Sequence, residues 1–414
     1  MSVRDAQERI LSFFDPTGCE VVPIGKSAGR ILFEDIMAPG DQPPFANSSM
    51  DGFAVRSADV AGATHLSPVT LVVVTDIPAG SPPGALIGPG QAARIMTGAP
   101  IPAGADTVVP VEDTSDASEP PQGGRESGQP IAIYKSAQAG DNIRPRGQDF
   151  CQGQILLKKG RRLQPQDIGI LASVGQTQIS VHRRPQIAIF SSGDELVSPG
   201  QPLGPGQIYD SNQYILAVLL EQAGAEVIRL GTARDDPIQI AELLGRGVEA
   251  GPDMIVSSAG VSVGAYDFVR QVIETQGELS FWRVNMRPGK PLAFGMFSGI
   301  PMIGLPGNPV SSFMGCRIFV LPAIYKLSGR SQYFPSPSKA ILAEPVESDG
   351  RESYLRAVVD QSKETGHRQI RLAGHQGSGN LFGLTQANAL LFVPSGVKSL
   401  PSGTEVNFWS LEVE

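Results

Sequence analysis

The first third of the chain shows one helical pattern followed by many short strand patterns. Residues 3–14, VRDAQERILSFF, place Ala6, Ile10 and Phe13 or Phe14 on one face, which predicts an amphipathic helix that ends before Pro16. From about residue 45 to 140 the apolar runs are short, and Gly and Pro separate them. This pattern predicts a small β-rich module. Residues 113–130 offer almost no side chain suited to a core, so we expect a mobile surface loop there.

The segment that follows the module predicts a return to an N-terminal unit. GQILLKKGRRLQPQDIGILASVGQ reads as a strand, a turn and a helix that begins near Pro165. We therefore predict that the β-rich module, residues 45–140, is inserted into an N-terminal helical and connector unit made of residues 1–44 plus 141–183.

Strand and helix patterns alternate from about residue 184. PQIAIFSS, AEVIRLG and DMIVSS predict strands, and two intervening helices are predicted to be capped by Asp210 or Ser211 and by Asp236, which precedes Pro237. This alternation predicts a doubly wound, mostly parallel α/β domain over residues 184–329. After about residue 330 only strand patterns remain, which favours a β-barrel or sandwich, and we assign a C-terminal β-barrel to residues 330–414. The predicted fold class is α/β plus β, multidomain.

Composition and charge exclude several function classes. The 414 residues carry a formal net charge of −8 and no long basic stripe, which argues against a nucleic-acid partner. No apolar run approaches the roughly 20 residues that a membrane helix needs, and the N-terminus lacks a signal-peptide pattern, so we expect a cytoplasmic protein without a membrane partner. Cys19, Cys151 and Cys316 are scattered, and we expect buried structural thiols.

Acidic residues follow three of the predicted strands. The ligand of an open parallel sheet binds outside the carboxyl ends of its strands, and Glu195, Asp235 and Asp267 fall in such loops. Three carboxylates there suit a Mg²⁺ ion held near phosphate oxygens. Each has an ordinary alternative: Glu195 fits a solvated turn and Asp267 a helix cap, whereas Asp235 stands one residue outside the cap Asp236.

The loop SSAGVSVGAYD is rich in glycine and serine. Such a loop lets backbone amides approach a phosphate at the start of a helix. It matches neither a Walker A loop nor a dinucleotide GxGxxG motif, so alone it is a weak signal. The candidate residues are Ser258, Gly260, Ser262 and Gly264.

Two cations are held close together in VNMRPGKPLAFG, residues 284–295. Arg287 and Lys290 lie three residues apart, beside Pro288 and Pro291. Because a helix cannot run through prolines so closely spaced, the cations lie on a stiffened turn. In an acidic chain this local cluster predicts an anion site.

Nine motifs in order resemble one family. They are PPFANSSMDGFAV, RIMTGAPIPAGADTVVPVE, IRPRGQDF, SSGDEL, IYDSN, SSAGVSVGAYD, RPGKPLAFG, GLPGNPVSS and GHQGSG. Together they closely resemble the molybdopterin molybdenumtransferase (MoeA) family, whose eukaryotic relatives include the E domain of gephyrin. The resemblance implies a Mg²⁺-dependent enzyme of molybdenum cofactor biosynthesis that takes adenylylated molybdopterin and molybdate and releases AMP. It also implies an elongated homodimer, and as partners the molybdopterin adenylyltransferase and downstream molybdoenzyme apoproteins.

The resemblance assigns roles to individual residues. It implies a molybdate pocket with a shaped loop beside it, although Arg356 alone would pass for a strand residue facing solvent. Arg283 and Arg287 stand where many relatives carry Lys, which keeps the charge and changes the donor geometry. The pocket and loop residues are Arg283, Arg287, Lys290, Pro306, Pro309, Ser311, Arg356 and Ser378.

Two polar residues of the β-rich module and one from the segment that follows it complete the predicted site. Asp51, Thr97 and Asp149 occupy comparable polar loops. Taken alone, Asp51 before a glycine is an ordinary turn residue. The resemblance implies instead that Asp51 and Thr97 complete an active site shared across the homodimer.

Three alternatives stay open at this point. The α/β domain also resembles the adenylyltransferase that prepares the substrate. A second alternative is a non-catalytic scaffold, like the receptor-clustering role of gephyrin. The third is tungstate in place of molybdate, because both are tetrahedral dianions of similar size.

Overall fold

The computed structural model describes residues 1–82, 84, 86–117, 127–259, 268–361 and 366–411. The chain forms two compact units. The first unit contains Met1–Glu34, Lys159–Gly169 and Gln176–Glu414, and the second unit contains Asp35–Lys158 and Ile170–Gly175. The four domain bounds given above stay predictions.

The second unit is built on a five-stranded sheet, which confirms the predicted β-rich module. In sheet order its strands are Thr107–Pro110, Gly52–Val55, Gln91–Ile95, Val69–Ile77 and Pro130–Ile133. Two antiparallel pairs of short strands add to it, Ile36–Met37 with Ile155–Leu157 and Asn47–Ser48 with Ile143–Arg144. Short 3₁₀ turns span Ser57–Val60 and Val111–Asp113.

One expectation for the module is wrong at two positions. Thr114 and Asp116 fall in the stretch predicted to stay out of any core, yet both are buried. Thr114 Oγ1 donates to the Val111 carbonyl oxygen and accepts from the Asp116 N–H. These local hydrogen bonds satisfy the polar groups and so reduce the free-energy cost of burying them. Residues 118–126 of the same stretch lie outside the described residues.

The first unit begins with the predicted helix, Val3–Leu11. The Ser2 hydroxyl accepts a hydrogen bond from the Asp5 N–H at 3.1 Å and caps it. Its apolar face is buried and continues into Phe14, whereas Phe13 is 43% exposed. After it, the strand Cys19–Pro23 pairs with Gln178–His182, and a 3₁₀ turn spans Ile24–Lys26. The helix near Pro165 is Pro165–Ser173, of which only residues 165–169 belong to this unit.

A six-stranded sheet with helices on both faces forms the centre of the first unit. In order its strands are Glu226–Ala233, Gln186–Ser192, Met254–Ser258, Ile300–Leu305, Ala293–Phe297 and Gly277–Trp282. The first four run parallel, whereas Ala293–Phe297 runs antiparallel to both of its neighbours, so Gly277–Trp282 runs in the direction of the first four. Its helices are Asn212–Gln222, Pro237–Glu249, Phe268–Gln276, Pro309–Gly315 and Leu321–Leu327, with a π-helical turn at Cys316–Val320 and a strand pair at Leu196–Val197 and Ile208–Tyr209.

Side-chain alternation along the central strands divides the core into two clusters. Ile187 and Ile189 point into one cluster together with Leu216 of the helix Asn212–Gln222. Ala188 and Phe190 point into the other, beside residues of the helices Pro237–Glu249 and Phe268–Gln276. This confirms the predicted doubly wound, mostly parallel domain.

The C-terminal strands close into a five-stranded barrel. Around the ring they are Ser338–Leu342, Arg368–Leu372, Glu352–Gln361, Ala389–Val393 and Glu405–Ser410, which pairs back onto Ser338–Leu342. Between these strands lie the pair Val346–Glu347 and Ser399–Leu400 and the helix Leu381–Thr385. The barrel, and not the sandwich, is the observed arrangement.

Two sequence expectations concern burial. Among the described residues, the one helical stretch long and apolar enough to cross a membrane is Pro309–Leu327, and 78% of its most apolar window is buried within the protein. Cys316 is buried, which raises the pKa of its thiol to about 12. The expectation of buried thiols is wrong for Cys19 and Cys151, because both are exposed. Cys19 begins the strand Cys19–Pro23, and Cys151 lies just before a turn.

Candidate functional site

A cavity of about 380 Å³ in the first unit is surrounded by cations. It lies between the turn at residues 287–291, the start of the helix Pro309–Gly315, the barrel strand Glu352–Gln361 and the loop at residues 376–378. Among its described lining residues there is no carboxylate. Five residues predicted from the sequence line this cavity: Arg287, Lys290, Ser311, Arg356 and Ser378. Three of them are cations, and Arg351 adds a fourth. We call this cavity the cationic pocket.

Backbone contacts fix the turn that carries Arg287 and Lys290. Arg287 ends a short strand that pairs with the start of the barrel strand Glu352–Gln361. The Val284 N–H donates to the Lys290 carbonyl oxygen at 3.0 Å and closes the turn. Gly289 within it has φ +97°, a conformation that side chains rarely adopt, so the turn requires glycine there.

Arg356 holds the loop that presents Ser378. It is 1% exposed, and its guanidinium donates to the carbonyl oxygens of His375 at 2.6 Å, Gly377 at 3.1 Å and Asn380 at 2.5 Å. No carboxylate of the described residues forms an ion pair with it, and burial lowers its pKa. The alternative of a strand residue facing solvent is therefore wrong: Arg356 is a buried cation at the wall of the cationic pocket.

Gln376 and Arg351 were missed by sequence reasoning. The Gln376 amide accepts from the Arg356 N–H at 2.9 Å and donates to the Arg356 carbonyl oxygen at 3.0 Å, which docks the loop on the barrel. Arg351 donates to Asp349 at 3.0 Å and to the Met286 carbonyl oxygen at 3.2 Å. The hydrogen bond from Arg351, with a further contribution from the charge of Arg287, holds the pKa of Asp349 below its usual range. The only available signal was the position of Gln376 inside GHQGSG.

Three further candidates do not line the cationic pocket. Arg283 is exposed, and its guanidinium lies 3.8 Å from the centroid of the Trp282 ring. Pro306 is buried just after the strand Ile300–Leu305. Pro309 opens the helix that presents Ser311, so it supports the pocket without lining it.

Glu195 and Asp235 follow adjacent strands of the central sheet, and their loops contact each other. The Asp235 N–H donates to the Asp194 carboxylate at 3.3 Å, and the Gly193 N–H donates to the Ala233 carbonyl oxygen at 3.1 Å. A Cβ atom at Gly193 would lie 2.6 Å from a carboxylate oxygen of Glu195, so the glycine leaves room for that side chain. The next acid along the chain, Asp236, caps its helix as predicted by accepting from the Ile238 N–H.

The third acid of the predicted metal site cannot be placed. Asp267 lies outside the described residues, as do Gly260, Ser262 and Gly264. Among the described residues no three His, Cys, Asp or Glu side chains come close enough to hold a metal ion. Glu195 and Asp235 still fit Mg²⁺, because this ion commonly takes only one or two carboxylates and completes its octahedron with water and phosphate oxygens. Glu195 is exposed and Asp235 is partly exposed.

Asn212 joins two strand ends and was not singled out from the sequence. Its Nδ2 donates to the Ser258 hydroxyl at 2.8 Å and to the Gly307 carbonyl oxygen at 2.6 Å. The Asn212 Oδ1 and the hydroxyls of Ser191 and Ser257 are buried without a hydrogen-bond partner among the described residues. Unsatisfied buried polar atoms are rare, and here they collect where the sheet offers its ligand site. The helix behind Asn212 is capped by Asp210, which accepts from the Gln213 N–H.

In the second unit, Asp51 and Thr97 form one hydrogen-bonded pair. The Asp51 Oδ1 accepts from the Thr97 N–H and from its hydroxyl, both at 2.7 Å. These bonds, the backbone one first, lower the pKa of Asp51. Asp149 is exposed, and its N–H donates to the Gln42 carbonyl oxygen.

The fold defines a class: a multidomain protein in which a doubly wound α/β domain is joined to a five-stranded barrel, with the cationic pocket between them. Three family descriptions match it in order. The MoeA N-terminal region (domain I and II) matches residues 1–175, the probable molybdopterin binding domain matches 188–326, and the MoeA C-terminal region (domain IV) matches 339–411.

Full-length relatives give the particular family. Molybdopterin molybdenumtransferase 2 of Mycobacterium tuberculosis is 37% identical over 99% of both chains. The molybdopterin molybdenumtransferase of Nostoc sp. is 40% identical over 94% of this chain and 87% of its own. A crystal structure of the molybdopterin biosynthesis MoeA protein from Pyrococcus horikoshii OT3 is 28% identical, with a TM-score of 0.82 over 99% of both chains. The chain belongs to the molybdopterin molybdenumtransferase family and is a transferase of molybdenum cofactor biosynthesis.

Proposed function

We propose that this enzyme inserts molybdenum from molybdate into adenylylated molybdopterin, with Mg²⁺-dependent release of AMP. The observation that supports the proposal is the cationic pocket: it gathers Arg287, Lys290, Arg351 and Arg356 with two serines and no carboxylate among its described lining residues. An oxyanion of charge −2 is the kind of ligand that such a lining favours.

Electrostatics explains why the reaction needs these cations. Molybdate and the pyrophosphate of the adenylylated pterin must share one cleft. A pair of unit charges about 5 Å apart repels by about 3 kcal/mol at an effective dielectric constant of about 20. Arg287 and Lys290 offset that repulsion, while the hydroxyls of Ser311 and Ser378 orient the tetrahedral oxyanion by hydrogen bonds.

The strand ends of the central sheet are proposed to bind the pyrophosphate. Glu195, Asp235 and Asp267 would hold Mg²⁺ there, and the ion, when bound, neutralises charge on phosphate oxygens. Ser258, held by Asn212, begins the loop whose Gly260, Ser262 and Gly264 would bring backbone amides to the phosphates. The P–O–P bond is cleaved and AMP leaves, and positioning and electrostatic stabilisation supply most of the rate.

We further propose that the enzyme acts in the cytoplasm as a homodimer with a shared active site. Asp51 and Thr97 of one protomer would serve the site of the other protomer. Asp149 is proposed as a further catalytic residue. The molybdopterin adenylyltransferase would supply the substrate, and molybdoenzyme apoproteins would receive the product.

Incubation with adenylylated molybdopterin, Mg²⁺ and either molybdate or tungstate tests the proposal. Chromatography should show AMP and metal-bound pterin appearing together, and neither should form without the oxyanion. An ATP-dependent gain of AMP on molybdopterin would assign the adenylyltransferase reaction instead. Binding of the pterin without turnover would favour a scaffold, and the oxyanion that reacts at the lower concentration identifies the preferred metal.

A further inference from the structure

A second cavity, of about 450 Å³, combines cations with aromatic rings and shares no lining residue with the cationic pocket. It also lies within the first unit. Arg161, Arg162, Arg317 and Arg330 line it, and no carboxylate is found among its described lining residues. The aromatic residues are Tyr325, Tyr333, Phe334 and Trp409.

The charge of Arg330 is poorly compensated. Its guanidinium stacks on the Tyr325 ring at 3.8 Å from the centroid, and its Nη2 donates to the Ala223 carbonyl oxygen at a long 3.4 Å. Its Nε is buried and has no hydrogen-bond partner among the described residues. Burial, together with the nearby charge of Arg162, lowers the pKa of Arg330.

Arg317 also lines the cavity and also lacks a carboxylate partner among the described residues. Its Nη2 donates to the Ser410 carbonyl oxygen at 3.2 Å, and burial lowers its pKa. Neither Arg317 nor Arg330 forms an ion pair with a carboxylate of the described residues. Both side chains are only partly exposed, and taking much of a cation out of water without a counter-charge is unfavourable unless another group satisfies it. Arg161, which also lines the cavity, is by contrast paired with Asp167 at 2.8 Å.

The aromatic residues narrow the class of ligand. Phe334 is 38% exposed, and Tyr333 and Trp409 are partly exposed, so their rings are accessible from the cavity. Rings of this kind stack on planar groups such as a nucleobase. The volume falls within the range of roughly 300–1,000 Å³ that is usual for small-molecule sites.

We propose that this cavity binds a small phosphorylated molecule with a planar ring, of the nucleoside monophosphate class. Arg317 and Arg330 receive the phosphate, and the ring stacks among Tyr333, Phe334 and Trp409. The site is separate from the proposed catalytic site, and its existence does not depend on the proposed reaction.

Intrinsic fluorescence offers a direct test. The chain has two tryptophans, so Trp282→Phe leaves Trp409 in the cavity as the sole reporter. Titration of this variant with AMP should change its fluorescence saturably, whereas adenosine or inorganic phosphate alone should bind at least about tenfold more weakly, because each lacks one half of the recognition. Arg330→Gln should weaken AMP binding by about tenfold or more.

A second variant changes an exposed residue of the cavity, so its effect on binding is not confused with an effect on folding. Gln332 lines the cavity and is exposed, so Gln332→Glu should fold normally and repel the phosphate. Arg371→Gln, at an exposed ion pair with Asp360 that does not line the cavity, should leave AMP binding unchanged. The signal should also persist in Arg287→Ala/Lys290→Ala; its loss there would assign it to the cationic pocket and overturn the proposal. Absence of saturation, or equal affinity in Gln332→Glu, would overturn it as well.

Discussion

Asp51 and Thr97 are joined twice: one carboxylate oxygen of Asp51 accepts both the backbone N–H and the hydroxyl of Thr97, each at 2.7 Å. Both bonds stabilise the charged carboxylate and lower its pKa. Because the folded-state pKa is lowered, the resulting stability is present above the pKa of the unfolded chain and is lost as the pH falls through the folded-state pKa. Asp51 is therefore an anion throughout the neutral range.

Removing the hydroxyl tests this coupling. Thr97→Val keeps the shape and the backbone bond but loses one of the two hydrogen bonds, so the pKa of Asp51 should rise toward its ordinary value. Thr97→Ser, which retains a hydroxyl, is the matched control and should leave the pKa low. Carbon-detected NMR titration of the side-chain carboxylates measures both. The same Asp51 pKa in wild type and Thr97→Val would show that the hydroxyl bond contributes nothing.

Neighbouring acids after the strand Glu226–Ala233 should behave differently. Asp235→Asn is expected to slow Mg²⁺-dependent AMP release strongly and to leave the fold intact. Asp236→Asn should keep the helix cap, since Asn caps as well as Asp, whereas Asp236→Ala should lower the free energy of unfolding by about 1 kcal/mol. Turnover assays paired with urea unfolding separate the two roles, and full activity of Asp235→Asn would remove Asp235 from the proposed metal site.

The cationic turn should control oxyanion affinity. Loss of a charge-assisted contact costs on the order of 1.5–3 kcal/mol, so Arg287→Ala and Lys290→Ala should each raise the molybdate concentration for half-maximal turnover by roughly ten- to hundredfold. Arg371→Ala, an exposed cation on the barrel, is the control for net charge and should change little. If both turn variants keep the wild-type molybdate dependence, the turn has only a structural role.

Arg356 should be sensitive even to a conservative change. Arg356→Lys keeps the charge, but an ammonium group cannot reproduce the planar fork that reaches the carbonyl oxygens of His375, Gly377 and Asn380. We expect the free energy of unfolding to fall by about 1–3 kcal/mol, because buried acceptors lose their donors. Urea unfolding measures this loss. Hydrogen exchange of the amides at residues 375–380 should rise in the variant, and unchanged exchange there would contradict the role of Arg356 in holding the loop.

Mixing two inactive chains tests the shared active site. Asp51→Ala and Asp235→Ala chains should each be inactive alone. In a heterodimer with shared sites, one site carries both substitutions and the other carries neither, so activity should return to at most about half of the wild-type value per dimer. If each chain builds its own site, every site keeps one lesion. No recovery, with subunit exchange verified by mass spectrometry, would rule out the shared site.

Much of the fold could be predicted because local signals agreed with one another. The helix Pro237–Glu249 has an apolar stripe, the cap Asp236 and a proline at its first position, and the structure shows all three. The edge strand Gly277–Trp282 was not predicted, because its place in the sheet comes from pairing with Ala293–Phe297 and its burial shows no strong alternation. The π-helical turn Cys316–Val320 likewise has no distinct pattern in the sequence.

The candidate site was only partly predictable, because some of its residues are brought together by tertiary contacts and not by proximity in the sequence. Arg287 and Lys290 share one rigid turn, so their proximity could be inferred from the chain itself. Arg351 and Gln376 enter the site through contacts with Met286 and Arg356, which are distant in sequence. Such partners are chosen by tertiary packing, so a single sequence carries no spacing that reveals them.

The closure of the barrel has a consequence for the order of events during synthesis. The strand Glu405–Ser410 pairs with the first barrel strand, Ser338–Leu342, and with Ala389–Val393, so the ring stays open until residue 410 has left the ribosome. The central sheet can form well before that moment, since all its strands precede residue 306. A nascent chain should therefore carry a finished α/β layer while the wall bearing Arg356 and Ser378 is still unassembled, and the cationic pocket is complete only after translation has passed the last barrel strand.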